Sequence, residues 1–291
     1  MTRKLNLILF TSIAMLGCQQ KPTKVYQSVP TQTKDGSQAL KPSDKTVILD
    51  ARPAFEYSIS HINGSQNIRP EDFTQRDHPF LGLLENDTFS LARYLARKGI
   101  SPETSVIVVG RALKGNGEEG RVAWTLKYLG VKDVKFSSID FFSLPLTSAE
   151  APPKENVTIW KPQIDESLQV NRREFMQEMM RPRASPGAAI LIDVRPTEEY
   201  LGKVSSPVVK TPPDIGAINI PWTEFFSQNG LVKESVKAKL QAIGITSDRL
   251  VYVISNKGVE SAAVTMALRD LGYGKAANFS GGYLELMDGK K

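Results

Sequence analysis

The 291-residue chain is 41 % apolar and 23 % charged, a balance typical of a folded protein rather than a disordered one. Its 37 basic and 31 acidic residues are interleaved and leave a net charge of only +6, so a basic surface for nucleic acid is not expected. The single cysteine, Cys18, excludes an intramolecular disulfide, and with only two histidines the chain lacks the residue spacing of a metal site.

The chain begins with a pattern typical of an export signal. Arg3 and Lys4 precede an apolar run at residues 5–16, which is shorter than the roughly 20 residues of a membrane-spanning helix. Residues 15–18 read MLGC and resemble the lipobox of bacterial lipoproteins, in which the signal is cut before the cysteine and the thiol is acylated. We therefore predict a lipoprotein signal peptide at 1–17, a lipid on Cys18 and a flexible tether at 18–44.

The rest of the chain contains an internal repeat. VILDARP at residues 47–53 recurs as ILIDVRP at 190–196, and each copy is followed by a glutamate and a tyrosine. A Gly-Xaa-Xaa-Asn-Ile block, a Gly-Ile pair before an apolar run and a Leu-Gly pair recur in the same order. Ordered repetition of this kind indicates two domains of one fold, which we place at 45–148 and 168–289 with a linker at 149–167.

Each copy predicts the same order of elements. A β-branched run that ends in Asp predicts a buried parallel strand, and the proline after it starts a helix. A short second strand precedes a helix such as 235–243, and a Gly-Ile turn leads into the most apolar strand. The last helix of copy two, 259–271, ends at Gly272. This alternation predicts an α/β fold in which each domain has a mostly parallel sheet flanked by helices.

The repeated blocks resemble the rhodanese family, and their tandem arrangement is similar to its thiosulfate and mercaptopyruvate sulfurtransferases. The resemblance is carried by DAR at 50–52, DVR at 193–195, SHING at 60–64, GAINIPW at 216–222 and SGGY at 280–283. It implies two tandem rhodanese-like domains and catalysis by a cysteine thiolate that takes a sulfane sulfur from a donor, holds it as a persulfide and passes it on. It implies no cofactor.

The family's catalytic loop corresponds to the six residues after the strand at 250–254. They are Ser255, Asn256, Lys257, Gly258, Val259 and Glu260. By the resemblance, Ser255 stands at the position of the cysteine, Asn256 replaces an arginine that would hold an anionic donor, and Glu260 adds negative charge. Because a serine hydroxyl forms no persulfide, we expect a degenerate loop without a catalytic residue. In copy one the loop begins near Gly110, where even the hydroxyl is missing.

Two alternatives keep an enzymatic interpretation open. A genuine sulfurtransferase would need another mechanism, for example an unacylated Cys18 as sulfur carrier. A serine hydrolase would need a base beside Ser255, but His61 and His78 both lie in copy one.

The Asp-Xaa-Arg motifs also have two interpretations. Asp193 and Arg195 either shape a pocket beside the loop or form an ion pair at the end of a strand, and Asp50 and Arg52 do the same in copy one. We favour the ion pair.

The sequence thus predicts a rhodanese-like envelope lipoprotein without sulfurtransferase activity, acting as a binding or structural module. Its lipid would hold it to a membrane, and the residue after Cys18, Gln19, is not the acidic residue associated with retention at the inner membrane. We therefore expect the outer membrane, facing the periplasm. Lys257 would attract a small anion, but Glu260 opposes it, and an ordinary solvated loop is the favoured alternative. A protein partner is the other expectation, and the oligomeric state is left open.

Overall fold

The structure, a computed structural model, describes residues 46–77, 81–151 and 158–288. The predicted signal peptide and tether, with Cys18, lie outside the described residues, as do His78 and part of the predicted linker. Within the described ranges, no helix combines the length and the apolar character needed to cross a bilayer.

The first domain alternates strands and helices. Its strands are β1 (Val47–Asp50), β2 (His61–Ile62), β3 (Gln66–Asn67), β4 (Ser105–Gly110), β5 (Asp133–Ser138) and β6 (Leu146–Thr147). Its α-helices are α1 (Ala54–Ile59), α2 (Thr88–Arg97) and α3 (Glu118–Tyr128).

The second domain follows the same plan after an added N-terminal helix. Its strands are β7 (Ile190–Asp193), β8 (Ile218–Asn219), β9 (Val251–Ile254) and β10 (Ala276–Asn278). Its α-helices are α4 (Arg172–Met180), α5 (Thr197–Tyr200), α6 (Ser235–Ala242), α7 (Val259–Asp270) and α8 (Gly282–Asp288). The predicted last helix is confirmed to within one residue, and Gly272 beyond it has the positive φ, 93°, that favours glycine.

The described residues form a four-stranded parallel sheet in each domain, with strand orders β3-β1-β4-β5 and β8-β7-β9-β10. The registers also correspond, because Asp50 lies beside Val109 in the first sheet and Asp193 beside Ile254 in the second. These sheets confirm the predicted α/β fold of two tandem domains. The shared register aligns the loops that follow β4 and β9, with Gly110 at the position of Ser255.

Each central strand packs its side chains alternately on the two faces of its sheet. Val106 and Val108 of β4 belong to one apolar cluster, whereas Ile107 and Val109 belong to another on the opposite face. Successive residues of β9 alternate between two clusters in the same way. A strand buried on both faces is what a parallel sheet requires, which explains the continuous apolar runs in the sequence.

The two domains meet where α3 packs against α7. A Cβ added to Gly120 of α3 would lie 2.4 Å from the Cβ of Ala263 in α7, so the helices approach as closely as a glycine allows. A Cβ on Gly117, just before α3, would lie 3.7 Å from the Cα of Glu260 in the first turn of α7. The starts of the two helices, and the loops that lead into them, are therefore side by side.

Candidate functional site

The hydroxyl of Ser255 is buried at the start of α7. The residue has no exposed surface, and its Oγ accepts the backbone N–H groups of Gly258 at 3.1 Å and Ser261 at 3.4 Å. The Oγ of Ser261 lies 3.1 Å away. The N–H groups and the helix dipole that favour negative charge at this position therefore hold a neutral hydroxyl.

Gly258 shapes the loop between Ser255 and α7. Its φ is +79°, and a Cβ added there would lie 1.8 Å from the carbonyl oxygen of Ser280. Both the backbone conformation and the close approach of the neighbouring chain thus require glycine. Lys257 before it is half-buried, and Val259 after it is buried.

A carboxyl group lies beside the Ser255 hydroxyl. The side chain of Glu260 lies near Ser255, and its Oε2 is buried without a hydrogen-bond partner among the described residues. Burial raises the pKa of Glu260, while its own backbone N–H, the nearby Ser255 hydroxyl and the charge of Lys257 act in the opposite direction. An anionic donor that approached Ser255 would therefore meet a carboxyl group.

Asn256 is tied to the glutamate of the repeated Glu-Tyr pair. Its Nδ2 donates to Oε2 of Glu199 at 2.9 Å, and its Oδ1 is buried with no partner in the described residues. In copy one the corresponding residue is Arg111, which pairs with Glu56 at 3.2 Å and with Glu118 at 2.7 Å. In each copy the Glu-Tyr pair thus supplies an acceptor for the second residue of the loop.

In copy one a glutamate fills the place of the missing loop side chain. A Cβ added to Gly110 would lie 2.1 Å from Oε2 of Glu119, and the other carboxyl oxygen accepts the N–H of Ala112 at 3.1 Å. Burial raises the pKa of Glu119 to about 8. Glu119 and Glu260 are each the second residue after the left-handed glycine that precedes α3 or α7.

Sequence reasoning singled out Glu260 but missed Glu119 and Glu199. The signal was present, because Gly-Xaa-Glu occurs at 117–119 and again at 258–260, and the Glu-Tyr pair occurs in both copies. The spacing between these motifs differs, since the loop of copy one is longer, and only the shared register of the two sheets aligns them.

A cavity of about 270 Å³ opens between the domains over this loop, and we call it the interdomain cavity. Its charged lining consists of Glu71 and Glu118 from the first domain and Glu199, Lys257 and Glu260 from the second. Asn256 and Val259 also line it, whereas Ser255 does not. Ser255, which the sequence predicts at the nucleophile position, is therefore shielded from the space that a ligand would occupy.

Asp193 and Arg195 form a buried ion pair at the end of β7. The guanidinium Nε donates to both carboxyl oxygens at 3.0 Å, and the hydroxyl of Tyr283 donates to Asp193 Oδ2 at 3.0 Å. The pair does not line the interdomain cavity, although Arg195 borders a separate surface pocket. Asp50 and Arg52 repeat the same geometry at the end of β1.

His61 is held within the first domain. Its ring stacks on Tyr57 with centroids 3.8 Å apart, Nδ1 lies 2.7 Å from the Tyr57 carbonyl oxygen, and Nε2 lies 3.1 Å from that of Ala149. It is buried and does not line the interdomain cavity. No histidine among the described residues thus stands beside Ser255 as a base.

Arg121 of α3 connects the first domain to the loop of the second. Its two terminal nitrogens donate to the carbonyl oxygens of Gly258 at 3.0 Å and Gly82 at 2.7 Å, and its guanidinium lies 4.7 Å from the ring centroid of Trp124. Burial lowers the pKa of Arg121 to about 9, which leaves it charged at neutral pH. Through Arg121, the first domain therefore holds the backbone of the loop at Gly258 in the second domain.

Comparison with known proteins agrees with this architecture. The model of the rhodanese-like domain family matches residues 33–141 and 173–288. A putative thiosulfate sulfurtransferase of Mycolicibacterium smegmatis is 25 % identical over 272 residues, which cover 86 % of this chain and 92 % of that protein.

Solved structures show the same fold. SseA from Escherichia coli, described as a 3-mercaptopyruvate sulfotransferase, superposes with a TM-score of 0.65 at 23 % identity, over 82 % of this chain and 93 % of that one. YnjE superposes with a TM-score of 0.69 at 21 % identity, over 86 % of this chain but only 62 % of its own length. With its two matched segments and two equivalent sheets, the chain belongs to the rhodanese-like domain family and is one of its tandem members.

Proposed function

We propose that this rhodanese-like protein has lost sulfur transfer and acts as a binding or structural module at the cell envelope. The observation that carries the proposal is the serine at the nucleophile position, whose Oγ is buried and bonded to the N–H groups at the start of α7. A persulfide forms only on a sulfur nucleophile, and a serine oxygen provides none. The only thiol in the sequence, Cys18, lies outside both domains.

The neighbours of Ser255 support the same proposal. Glu260 places a carboxyl group next to the hydroxyl, and Asn256, where the family carries an arginine, is bonded to Glu199. Both features disfavour an anionic sulfur donor.

A thiosulfate-to-cyanide transfer assay on the full chain in detergent tests the proposal. We expect thiocyanate formation at the background rate, equal in the wild type and in Ser255→Ala. Turnover by the wild type clearly above that of Ser255→Ala would contradict the loss of activity.

The alternative function is thiosulfate sulfurtransfer, which is favoured by the name of the Mycolicibacterium smegmatis relative. If Cys18 carried the sulfur, turnover would persist in Ser255→Ala and disappear in Cys18→Ser. The same assay therefore separates a loop-based mechanism from one that uses the N-terminal cysteine.

We further propose that Cys18 carries a lipid that holds the protein at the outer membrane, facing the periplasm. The proposal is supported by the MLGC sequence at 15–18, the short apolar run before it and the neutral Gln19 after it. Cells fed labelled palmitate should label the wild type, which should fractionate with the outer membrane, and should not label Cys18→Ser. Label that persisted in Cys18→Ser would exclude this anchor.

A further inference from the structure

The charge of the interdomain cavity does not suit the anionic donors of the family. Four carboxyl groups line it, those of Glu71, Glu118, Glu199 and Glu260, against the single ammonium group of Lys257. Arg111 neutralises Glu118 at 2.7 Å from outside the lining, and burial raises the pKa of Glu260, yet Glu71 and Glu199 still outnumber Lys257. These acidic groups come from both domains, so the field inside the cavity favours a positive ligand.

Two residues of this lining each carry a buried oxygen without a donor. Asn256 is 9 % exposed, its Nδ2 is committed to Glu199, and its Oδ1 has no hydrogen-bond partner among the described residues. Oε2 of Glu260 is buried and unpartnered in the same way. A buried oxygen without a donor costs free energy, so both oxygens would be stabilised by a ligand whose N–H or O–H groups reach them.

We propose that the interdomain cavity binds a nitrogen cation that carries N–H donors, a guanidinium or a primary ammonium group, through Glu199, Glu260 and Oδ1 of Asn256. The inference rests on the proposed function, because it assigns a ligand class to the binding module. The positive charge matches the carboxyl groups, and the N–H donors match the two unpartnered oxygens.

The grouping of the acidic side chains and the volume of the cavity restrict the class of ligand further. In the part of the chain that the structure describes, no three His, Cys, Asp or Glu side chains are grouped so that they could hold a metal ion, which favours an organic cation. At about 270 Å³ the cavity is slightly smaller than the usual small-molecule site, for which volumes begin near roughly 300 Å³. It therefore accommodates one cationic head group, from a free amine or from the side chain of a protein partner.

Calorimetric titration of the full chain in detergent tests the proposal with four probes. Agmatine carries both kinds of head group, tetramethylammonium has the charge but no N–H donor, and thiosulfate is the anionic control. We expect saturable binding of agmatine and much weaker binding of the other two. A capped Gly-Gly-Arg-Gly-Gly peptide that bound more tightly than agmatine would assign the head group to a protein partner, and the reverse order would assign it to a free amine.

Matched variants locate the binding. Glu260→Gln and Asn256→Leu keep side-chain size but remove an acceptor, and each should weaken agmatine binding by about tenfold or more. Glu174→Gln is the control. Glu174 lies in the first turn of α4, the same helical position that Glu260 has in α7, but Glu174 is exposed. Thermal unfolding checks that each variant is folded, and Glu260→Gln alone suffices if Asn256→Leu does not fold.

The assignment would be overturned by thiosulfate binding without agmatine binding, or by tetramethylammonium binding as tight as that of agmatine. It would also be overturned by an equal loss of agmatine binding in Glu260→Gln and Glu174→Gln. Absence of agmatine and peptide binding to a chain without sulfur transfer would likewise overturn the ligand class and leave the proposed function intact. Turnover in the thiocyanate assay would instead contradict the proposed function and would leave a measured cation affinity valid.

Discussion

Glu119 and Glu260 occupy the same position in the two domains but have different neighbours. Glu119 fills the space that Gly110 leaves empty, whereas Glu260 lies against the hydroxyl of Ser255. Burial raises the pKa of both carboxyls, so each favours its neutral form more than an exposed glutamate does.

Glu119 should make stability depend on pH. Its pKa is about 8 in the folded protein against an ordinary value of 4.5, so between these pH values the unfolded chain has lost a proton that the folded chain keeps. The free energy of unfolding therefore falls as the pH rises from about 4.5 to about 8. Glu119→Gln should remove this pH-dependent loss of stability. At pH 9 its free energy of unfolding should exceed that of the wild type by about 3 to 5 kcal/mol.

Urea unfolding of both proteins at pH 5 and pH 9 measures the difference. The exposed substitution Glu174→Gln should not change the pH dependence. A gap between wild type and Glu119→Gln that stayed constant with pH would show that Glu119 is already ionised in the folded state.

The loop also predicts how sulfur transfer could be restored. Ser255→Cys alone should remain inactive, because the thiol would be buried beside Glu260 and away from the interdomain cavity. Adding Glu260→Ser and Asn256→Arg removes a carboxyl and supplies a cation for the donor. The triple variant should form thiocyanate about tenfold or more above Ser255→Ala, the size of effect expected from a charged hydrogen bond. Full activity in Ser255→Cys alone would mean that Glu260 does not prevent a thiol at position 255 from reacting.

At the scale of elements, the packing of α3 against α7 decides how the domains meet. The φ of Gly120 does not require glycine, so only the close approach of α7 excludes a larger residue at this position. Arg121, the next residue, then reaches the loop carbonyl of Gly258. A larger residue at Gly120 would therefore disturb both the joint and the loop.

Gly120→Ala should lower the free energy of unfolding by about 1 to 3 kcal/mol. The new Cβ would lie 2.4 Å from the Cβ and 2.7 Å from the Cα of Ala263, and one of the two helices must move. Gly274→Ala is the control, since a Cβ there meets no heavy atom within 4 Å and the φ of Gly274 is not positive. If urea unfolding gave equal stabilities for the two variants, the helices would not be in this close contact.

At the scale of the whole molecule, the two domains share their apolar cores. Residues of α7 belong to the cluster that is built mainly by the first domain, and Phe136 of β5 packs against the cluster of the second. The buried guanidinium of Arg121 adds hydrogen bonds that involve both domains. Separation would expose this apolar surface and break the hydrogen bond from Arg121 to the carbonyl oxygen of Gly258.

We therefore expect the two domains to unfold together. Scanning calorimetry should give a single transition whose calorimetric and van't Hoff enthalpies agree. Arg121→Met should lower the transition temperature, with an expected loss of about 1 to 3 kcal/mol from the hydrogen bonds that it removes. Two well-separated transitions in the wild type would show that the domains fold independently.

The sequence by itself determined the tandem α/β fold, because a repeated order of apolar strands and glycine-terminated helices is a local pattern. Through its resemblance to the rhodanese family, it also predicted that Ser255, directly after the most apolar strand of the second copy, stands at the position of the nucleophile.

Only the tertiary structure decided that Ser255 is shielded, that Glu119 takes the place of a side chain at Gly110, and that Asn256 leaves an acceptor without a donor. These features depend on contacts between segments far apart in the chain, and the interdomain cavity depends on how two helices from different domains pack. Local periodicity carries no information about such contacts, because the distance and register between domains are set by side-chain packing across the joint.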